Sequence, residues 1–127
     1  MEIKRLHGDF TVCKTVDFSQ VRFDAEYCFT GKTDKENSLI CQTKDVPENI
    51  VERVDGWRGF RIEGVLDFSL IGVVAKISAL LAEEEIGILA VSTYNTDYIF
   101  VKKEQEEKAL SRLGRAGYKI LDNDSVQ

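Results

Sequence analysis

The sequence predicts an α+β fold of the ferredoxin-like type, in which one face of an antiparallel sheet carries two helices. Three observations in the second half of the chain lead to this prediction. One segment alternates between apolar and charged residues, as a half-buried strand does. Two segments repeat apolar residues with the period of an amphipathic helix, and three others are short and rich in β-forming residues. The predicted order is strand, helix, strand, strand, helix and strand, over residues 58–64, 69–84, 88–94, 97–101, 104–116 and 118–121.

The first predicted strand places Phe60 and Ile62 on one face and charged residues on the other. The helix that follows starts where Asp67 or Ser69 can cap it, because their side-chain oxygens can accept a hydrogen bond from a first-turn N–H. Gly87 suits the left-handed position at the end of a helix. These signals set the predicted boundaries of the first strand and the first helix.

The next two strands form a predicted hairpin with its tight turn at Asn95–Thr96. The second helix has Leu110 and Leu113 on its apolar side, and Gly117 ends it. The handedness of the crossover connections places the two helix-connected strands beside each other in the middle of the sheet.

The first half of the chain is predicted to be a mostly β, reduced version of the second half. Strands are predicted over 10–16, 26–30 and 38–42, and the only helix candidate is Val46–Val54, with Pro47 near its start. Because about 65 residues are marginal for an independent core, we expect the first half to contribute to the fold. The predicted domains are an N-terminal unit at 1–56, a complete βαββαβ unit at 57–122 and a polar tail at 123–127.

Composition and charge exclude several classes of partner. The formal net charge is −5, and no run of Lys and Arg exceeds two residues, so nucleic acids and anionic membranes are not expected partners. The most apolar window, Val65–Ala82, contains Asp67 and Lys76 and is too polar to span a membrane. The N-terminus lacks the apolar run of a signal peptide, and a cytoplasmic protein is therefore expected.

The cysteines and the single histidine do not form a catalytic or metal-binding pattern. Cys13, Cys28 and Cys41 include no C-x-x-C pair, and His7 is distant from them in sequence. We expect these cysteines to be reduced and buried as small apolar side chains. No Ser-His-Asp spacing, glycine-rich phosphate loop or nucleophile motif is present. The sequence therefore predicts no catalytic residues, no metal and no cofactor.

Three polar segments could carry a binding function. At the start of the first helix, residues 66–72 could receive a carboxylate on unpaired N–H groups, and Gly72 would allow a ligand close to the backbone. Residues 92–98 could hold an ammonium group through Asp97. Residues 33–39 form a charged loop that enters a strand. Each segment also has an ordinary interpretation, as helix cap, side-chain-stabilised turn and solvated loop respectively.

Taken together, these segments resemble a small family of ACT domains. The stretches EGVLDFSLIG (63–72) and STYNTDYI (92–99) are similar to its "EGxLDFSLxG" and "STYxTDY" features. TDKENSLIC (33–41) is similar to its "TxDExSLVC" feature, and Trp57 lies where the family has a tryptophan. The resemblance covers residues 5–121 and extends to the ACT pairs of animal cytosolic arginine sensors and, more distantly, to aspartate kinase regulatory domains.

The resemblance implies a tandem of ACT-like units, the first of them degenerate, that binds a free amino acid between units. Asn37 and Asn95 depart from the pattern, which usually has a hydrophobic residue and an aspartate at these two places. The implied ligand contacts are Ser38 and Leu39 at the carboxylate, Asp67, Phe68, Ser69 and Gly72 around the amino group and side chain, and Asp97 with Thr93 nearby.

The sequence thus predicts a non-catalytic, amino-acid-binding regulatory protein that forms a homodimer, in which a second copy completes the site. Binding would regulate through different affinities for two states of the protein or of an enzyme partner that the sequence does not identify. The alternative is a dimerisation or partner-docking module with a vestigial ligand site, because an open sheet edge pairs readily.

Overall fold

The structure is a computed structural model that describes residues 1–63 and 72–122. Contacts divide the chain into two compact units. Unit 1 consists of Met1–His7 together with Arg58–Gln127, and unit 2 consists of Gly8–Trp57. Unit 2 is therefore inserted in the chain between the first strand of unit 1 and the rest of it.

Eight strands and two α-helices lie within the described residues, as the prediction of a mixed α+β fold requires. Two short 3₁₀ turns, Thr43–Asp45 and Lys103–Gln105, follow strands β4 and β7. The elements are β1 (Glu2–Arg5), β2 (Phe10–Thr15), β3 (Cys28–Lys32), β4 (Asn37–Gln42), β5 (Ile50–Ile62), α1 (Val73–Glu83), β6 (Leu89–Ser92), β7 (Asp97–Lys102), α2 (Glu106–Arg115) and β8 (Lys119–Leu121).

The sheet of unit 1 has the order β6-β7-β5-β1-β8. The ferredoxin-like class is confirmed, and β7 lies beside β5 as the crossover rule predicts. One strand in this sheet is not predicted from the sequence. β1 lies between β5 and β8, antiparallel to β5 with Ile3 opposite Ile62 and parallel to β8 with Ile3 opposite Ile120. A four-residue strand with a single apolar side chain is too short to show a period of two.

The core of unit 1 lies between this sheet and the two helices. Ile3 and Ile62 contribute from neighbouring strands, and both are completely buried. The helices contribute the apolar faces that their periodicity predicts. The buried members of this core are Ile3, Phe60, Ile62, Ile77, Leu81, Ile86, Ile99, Val101, Ala109, Leu110 and Leu113.

The start of α1 differs from the predicted cap. Gly72, with φ of 79°, occupies the N-cap position, and its carbonyl accepts a hydrogen bond from the Lys76 N–H at 2.8 Å. Among the residues that the structure describes, no side chain caps this helix. Asp67 and Ser69, the predicted caps, lie outside the described residues. Glycine is suited to this position because the left-handed conformation is unstrained without a Cβ atom.

Both helices end in the same hydrogen-bond pattern but with different residues in the left-handed position. After α1, the Ile86 N–H donates to the Leu81 carbonyl at 3.0 Å, as in a Schellman motif. After α2, the Tyr118 N–H donates in the same way to the Leu113 carbonyl at 3.1 Å. Gly117 holds the left-handed position at the end of α2, as predicted.

At the end of α1 the prediction was wrong, because the left-handed residue is Glu85, with φ of 60°, and not Gly87. In this motif the left-handed residue comes directly before the apolar residue that packs against the helix, which here is the buried Ile86. The left-handed position therefore falls on Glu85.

Unit 2 is a sheet with the order β3-β4-β2-β5. The predicted helix over 46–54 is wrong, since residues from Ile50 onward belong to β5 and only a 3₁₀ turn precedes them. Ile50, Val51 and Val54 are β-branched, and such side chains favour a strand because they lose rotamer freedom in a helix. Residues 50–57 of β5 belong to unit 2, and residues 58–62 belong to unit 1.

The two units contain closely similar hairpins. In the β3–β4 hairpin the Thr33 N–H donates to the Glu36 carbonyl at 3.0 Å, and in the β6–β7 hairpin the Thr93 N–H donates to the Thr96 carbonyl at 2.9 Å. Each threonine hydroxyl also bonds within its own turn. A 3₁₀ turn follows the second strand of both hairpins. This repetition agrees with the interpretation of the first half as a reduced copy of the second.

Replacing Glu85 by glycine should stabilise the protein. A non-glycine residue in the left-handed region costs on the order of 1 kcal/mol or more, and glycine removes that cost at the expense of greater freedom in the unfolded chain. We expect Glu85→Gly to raise the free energy of unfolding in urea by about 0.5–1 kcal/mol. Gly117→Ala, at the matching position of α2, should lower it. Lower stability of Glu85→Gly would contradict the assigned helix end.

Candidate functional site

The predicted ligand residues fall in three places. Ser38 and Leu39 lie on β4 in unit 2, and Gly72, Thr93 and Asp97 lie in unit 1. The remaining three, Asp67, Phe68 and Ser69, lie outside the described residues.

Asp97 begins β7 and lies directly opposite Ser92, the last residue of β6. Its Oδ1 accepts a hydrogen bond from the Ser92 hydroxyl at 2.5 Å. A carboxylate can accept several hydrogen bonds, so this one leaves acceptor capacity for a further donor. The Asp97 side chain is only partly buried. The site thus offers a fixed anionic group beside the turn of a hairpin.

The hairpin turn is fastened to the end of β5. The Thr93 hydroxyl donates to the Thr96 carbonyl at 3.0 Å, which assigns Thr93 to the turn itself. Thr96 is 6% exposed, and its hydroxyl donates to the Ile62 carbonyl at 2.7 Å. The predicted turn is displaced by one residue, because Thr96 is anchored and Tyr94 occupies the exposed tip with Asn95. These bonds hold Asp97 in position relative to β5.

Several backbone segments of unit 1 meet at the same end of its sheet. The Glu63 N–H donates to the Glu2 carbonyl at 2.9 Å, and the Lys119 N–H donates to the Met1 carbonyl at 3.0 Å. The end of β5 therefore lies beside the start of β1 and, through Thr96, beside the start of β7, while the start of β8 lies on the other side of β1.

The first turn of α1 borders a cavity of about 250 Å³ at this end of unit 1. Gly72, Val73 and Lys76 line one side of the cavity, and Met1 and Tyr118 contribute to the rest. A helix N-terminus carries partial positive charge on its unpaired N–H groups, and the first turn of α1 has no acidic residue to neutralise it. This side of the site is suited to an anion, with the exposed Lys76 ammonium adding a full charge.

Sequence reasoning missed Lys76 as a residue of this region, whereas Arg61 lies on the face of the sheet opposite to the core residues Phe60 and Ile62. Lys76 lies in an amphipathic helix, where a lysine is usually exposed to solvent. The sequence pattern therefore gives no separate indication that Lys76 has a binding role. Arg61 lies over the Tyr98 ring with 6.0 Å to the centroid, and its Nε is 3.2 Å from Glu63. Burial acts against the charged form of Arg61, but hydrogen bonds to Tyr98 and Glu63 outweigh it and raise the pKa of the guanidinium. The Arg61 guanidinium therefore stays protonated and remains in contact with Tyr98 and Glu63.

In unit 2, Ser38 and Leu39 have different surroundings. Leu39 is 1% exposed and packs with Cys13 and Cys41, while its backbone lies between the paired strands β2 and β3. Ser38 lies opposite Lys14 and lines an open cavity of about 290 Å³ together with Glu52. The Lys14 ammonium is 3.1 Å from the Glu52 carboxylate. Ser38 is thus the accessible member of the predicted pair.

The cysteines form one cluster in unit 2 and are free in this structure. Burial raises the pKa of Cys41 to about 12, with a further contribution from the neighbouring Cys13. The pKa of Cys28 is also raised by burial, although this side chain is partly exposed. Such thiols carry little thiolate near neutral pH and are poor nucleophiles and metal ligands.

Residues 1–63 and 72–122 contain no group of three or more His, Cys, Asp or Glu side chains placed to hold a metal ion. Within the same ranges, neither α-helix has the length and apolar character needed to cross a membrane.

A family model of the ACT domain matches residues 52–115, which is half of the 127-residue chain. The chain belongs to the ACT-domain family. ACT domains are typically regulatory modules that bind small molecules. The matched range contains the β6–β7 hairpin, α1 and all of α2, and it therefore includes Gly72, Thr93 and Asp97.

Solved structures share the fold of the whole ACT chain. A crystal structure of a protein from Agrobacterium tumefaciens has a TM-score of 0.83 and 25% identity, covering 99% of this chain and 96% of that one. A Vibrio cholerae protein of unknown function has a TM-score of 0.69 and 22% identity, with 88% and 86% of the two chains covered. The ligand-free regulatory subunit of aspartate kinase from Thermus thermophilus has a TM-score of 0.65 and 13% identity, with 92% and 97% covered. No curated protein matches the chain.

The raised thiol pKa values predict the reactivity of the folded protein. Iodoacetamide should alkylate the partly exposed Cys28 before the buried Cys13 and Cys41, because the reaction needs both access and thiolate. Peptide mass spectrometry after brief labelling at mildly alkaline pH would measure the order. Equal labelling of all three before unfolding would contradict the buried cluster.

The same cluster predicts a loss of stability in alkali. The folded pKa of Cys41 is about 12 against an ordinary value of 9.0, so above pH 9 the unfolded chain loses this proton while the folded protein keeps it. Unfolding then releases a proton, and the free energy of unfolding falls as pH rises, by at most about 1.4 kcal/mol per pH unit. Cys41→Ala should be less stable overall but show a shallower decline in urea titrations above pH 9. Parallel curves for the two proteins would contradict this assignment.

Proposed function

We propose that this chain is a regulatory protein that binds a free amino acid. The observation that carries the proposal is the composition of one end of unit 1. There, the α1 N-terminus with Lys76 offers positive charge, and Asp97 offers negative charge at the start of β7. An amino acid carries a carboxylate and an ammonium group on neighbouring atoms and requires both kinds of partner.

Each group of the ligand has a defined role in this proposal. The carboxylate binds to the first-turn N–H groups beside Gly72, where the absence of a side chain leaves the backbone accessible. The ammonium group donates to Asp97, whose orientation is fixed by Ser92. We include Asp67, Phe68 and Ser69 on the basis of their sequence motif. Ser38 and Leu39 are assigned to the same ligand by sequence resemblance, which implies binding between ACT-like units and completion by a second copy.

The regulatory role rests on family membership and on the kinds of protein that share the fold. ACT domains are typically small-molecule regulatory modules, and one similar structure is the regulatory subunit of an aspartate kinase. We propose that the present chain is likewise non-catalytic, acts in the cytoplasm as a homodimer, and biases an enzyme partner when the amino acid is bound. Regulation of this kind requires that the ligand bind two states of the protein with different affinities.

A second candidate is a dimerisation or docking module with a vestigial ligand site. The observation that favours it is that the site side chains already have partners. Thr93 bonds within its turn and Asp97 accepts from Ser92, as an ordinary hairpin would require. In this case no amino acid would stabilise the protein.

A thermal-shift screen against the common amino acids at millimolar concentration separates the two candidates. A ligand at about 100 times its Kd stabilises the native state by roughly 2.7 kcal/mol, which raises Tm by several degrees for a domain of this size. We expect one amino acid, or a few related ones, to produce this shift. A flat result would reject amino-acid binding and favour the docking module.

Asp97→Asn tests the proposed ammonium contact once a ligand is known. The substitution keeps an oxygen that can accept from Ser92 but removes the charge, and a hydrogen bond to a charged group contributes about 1.5–3 kcal/mol. We expect the affinity to fall about tenfold to a hundredfold with little change in the Tm of the free protein. Asp34→Asn, in the matching hairpin of unit 2, is the control and should leave affinity unchanged. Unchanged affinity in Asp97→Asn would exclude this contact.

A further inference from the structure

The first part of β5 is exposed to an extent that is unusual for a strand. Residues 50–57 of β5 pair with β2, and β1 pairs only with its later residues 60–62. Five consecutive residues, 51–55, are exposed, although alternation normally turns every second side chain toward a core. Both faces of this segment are therefore open in the single chain.

Two of the exposed residues are apolar and two carry opposite charges. Val51 is 60% exposed and Val54 is 49% exposed. Arg53 and Asp55 lie two positions apart and so project from the same face, where the Arg53 guanidinium is 2.9 Å from the Asp55 carboxylate. Edge strands of this kind are templates for pairing with another chain unless their charges oppose it.

We propose that this edge pairs antiparallel with the same edge of a second copy, about a two-fold axis at Val54. An axis perpendicular to the sheet keeps each side chain on its own face and places Val54 opposite Val54 of the partner subunit. Arg53 then lies opposite the partner's Asp55, and Asp55 opposite the partner's Arg53. Two valines leave solvent, and two oppositely charged cross-strand pairs form.

Charge excludes the neighbouring registers. Centring the axis on Arg53 would place two guanidinium groups directly opposite each other. Centring it on Glu52 or on Asp55 would oppose two carboxylates, and like charges in directly opposed cross-strand positions are destabilising. The same charges that discourage non-specific edge pairing thus favour the register at Val54.

A bulge limits the length of this interface. The register between β2 and β5 shifts between the pairs Lys14–Glu52 and Thr15–Ile50, at the near end of the segment. It shifts again between Val12–Val54 and Phe10–Trp57, where Gly56 has φ of 86°. A glycine in this conformation is typical of a β-bulge, which bends and twists the strand. The straight part of the edge ends there, so the interface is short and the dimer should dissociate on dilution. The inference specifies the dimer of the proposed function but does not depend on amino-acid binding.

Cross-linking through an introduced cysteine tests the register. Directly opposite residues in an antiparallel pair have Cα atoms about 4.5–5.5 Å apart, within the range for a disulfide. In Val54→Cys, oxidised glutathione should accept two electrons and two protons, and the two introduced thiols, one from each subunit, should join as one disulfide across the axis. We expect a covalent dimer on non-reducing gels. Val51→Cys, equally exposed but away from the axis, and the wild-type protein should remain uncoupled.

Charge reversal tests the same interface without a covalent bond. In sedimentation experiments over a concentration series, Arg53→Asp should weaken the dimer by about tenfold or more, because two attractive pairs become repulsive. The exchange variant Arg53→Asp with Asp55→Arg restores both pairs and should recover most of the affinity. A matched thermal melt of each variant separates weaker dimerisation from loss of folding.

The possible results decide the proposal independently of any ligand. A monomer at all concentrations, equal cross-linking of Val51→Cys and Val54→Cys, or a dimer that Arg53→Asp does not weaken would each overturn it. A monomer with an intact amino-acid response in the thermal screen would reject this edge pairing and the proposed homodimer but retain the proposed amino-acid binding. A dimer in the predicted register whose Tm rises with none of the amino acids would retain this edge pairing but reject the proposed amino-acid binding.

Discussion

The antiparallel pairing of β1 with β5 is the contact on which the architecture of unit 1 depends. β8 lies beside β1 in the sheet order, so this four-residue strand connects the last strand of the chain to the middle of the sheet. Ile3, at its centre, is fully buried in the core that also receives both helices. The N-terminus is separated from the rest of unit 1 by all of unit 2. The closure of unit 1 is therefore a long-range event, with the entropy cost that bringing distant segments together entails.

β5 imposes a second constraint, because its two parts have opposite requirements. Phe60 and Ile62, farther along the strand, are completely buried in the core that the helices cover. From residue 51 to residue 55 the same strand is exposed and mainly charged. A buried sheet centre favours apolar residues, whereas an exposed edge requires charge to limit indiscriminate pairing. The change in character along one strand follows from these different surroundings.

The sequence predicts those parts of the fold in which a pattern is long enough to be repeated. Both helices and the β6–β7 hairpin were located within a few residues, since each shows several turns or alternations. β1 has a single apolar residue, and the start of β5 combines β-branched residues with a nearby Pro47 that also suits a helix start. The end of α1 could not be predicted from residue type, because the left-handed conformation of Glu85 is set by the burial of the next residue, Ile86. In the site, the polar run 92–98 indicated Asp97, whereas Lys76 became recognisable only beside the cavity.

The repeated hairpin gives a physical reason for expecting the two units to differ in function. Asp97 in unit 1 and Asn37 in unit 2 occupy the same place, at the first residue of the second strand. Each accepts a hydrogen bond from the last residue of the first strand, Ser92 and Lys32 respectively. The backbone is thus matched, and the side chains differ mainly in charge. A neutral amide beside a lysine ammonium cannot favour a second cation, whereas a carboxylate held by a neutral hydroxyl can. Under the proposed function the ammonium group of the ligand therefore binds in unit 1, whereas Asn37 accepts from Lys32 and donates from its side-chain amide to the Val16 carbonyl at 3.0 Å.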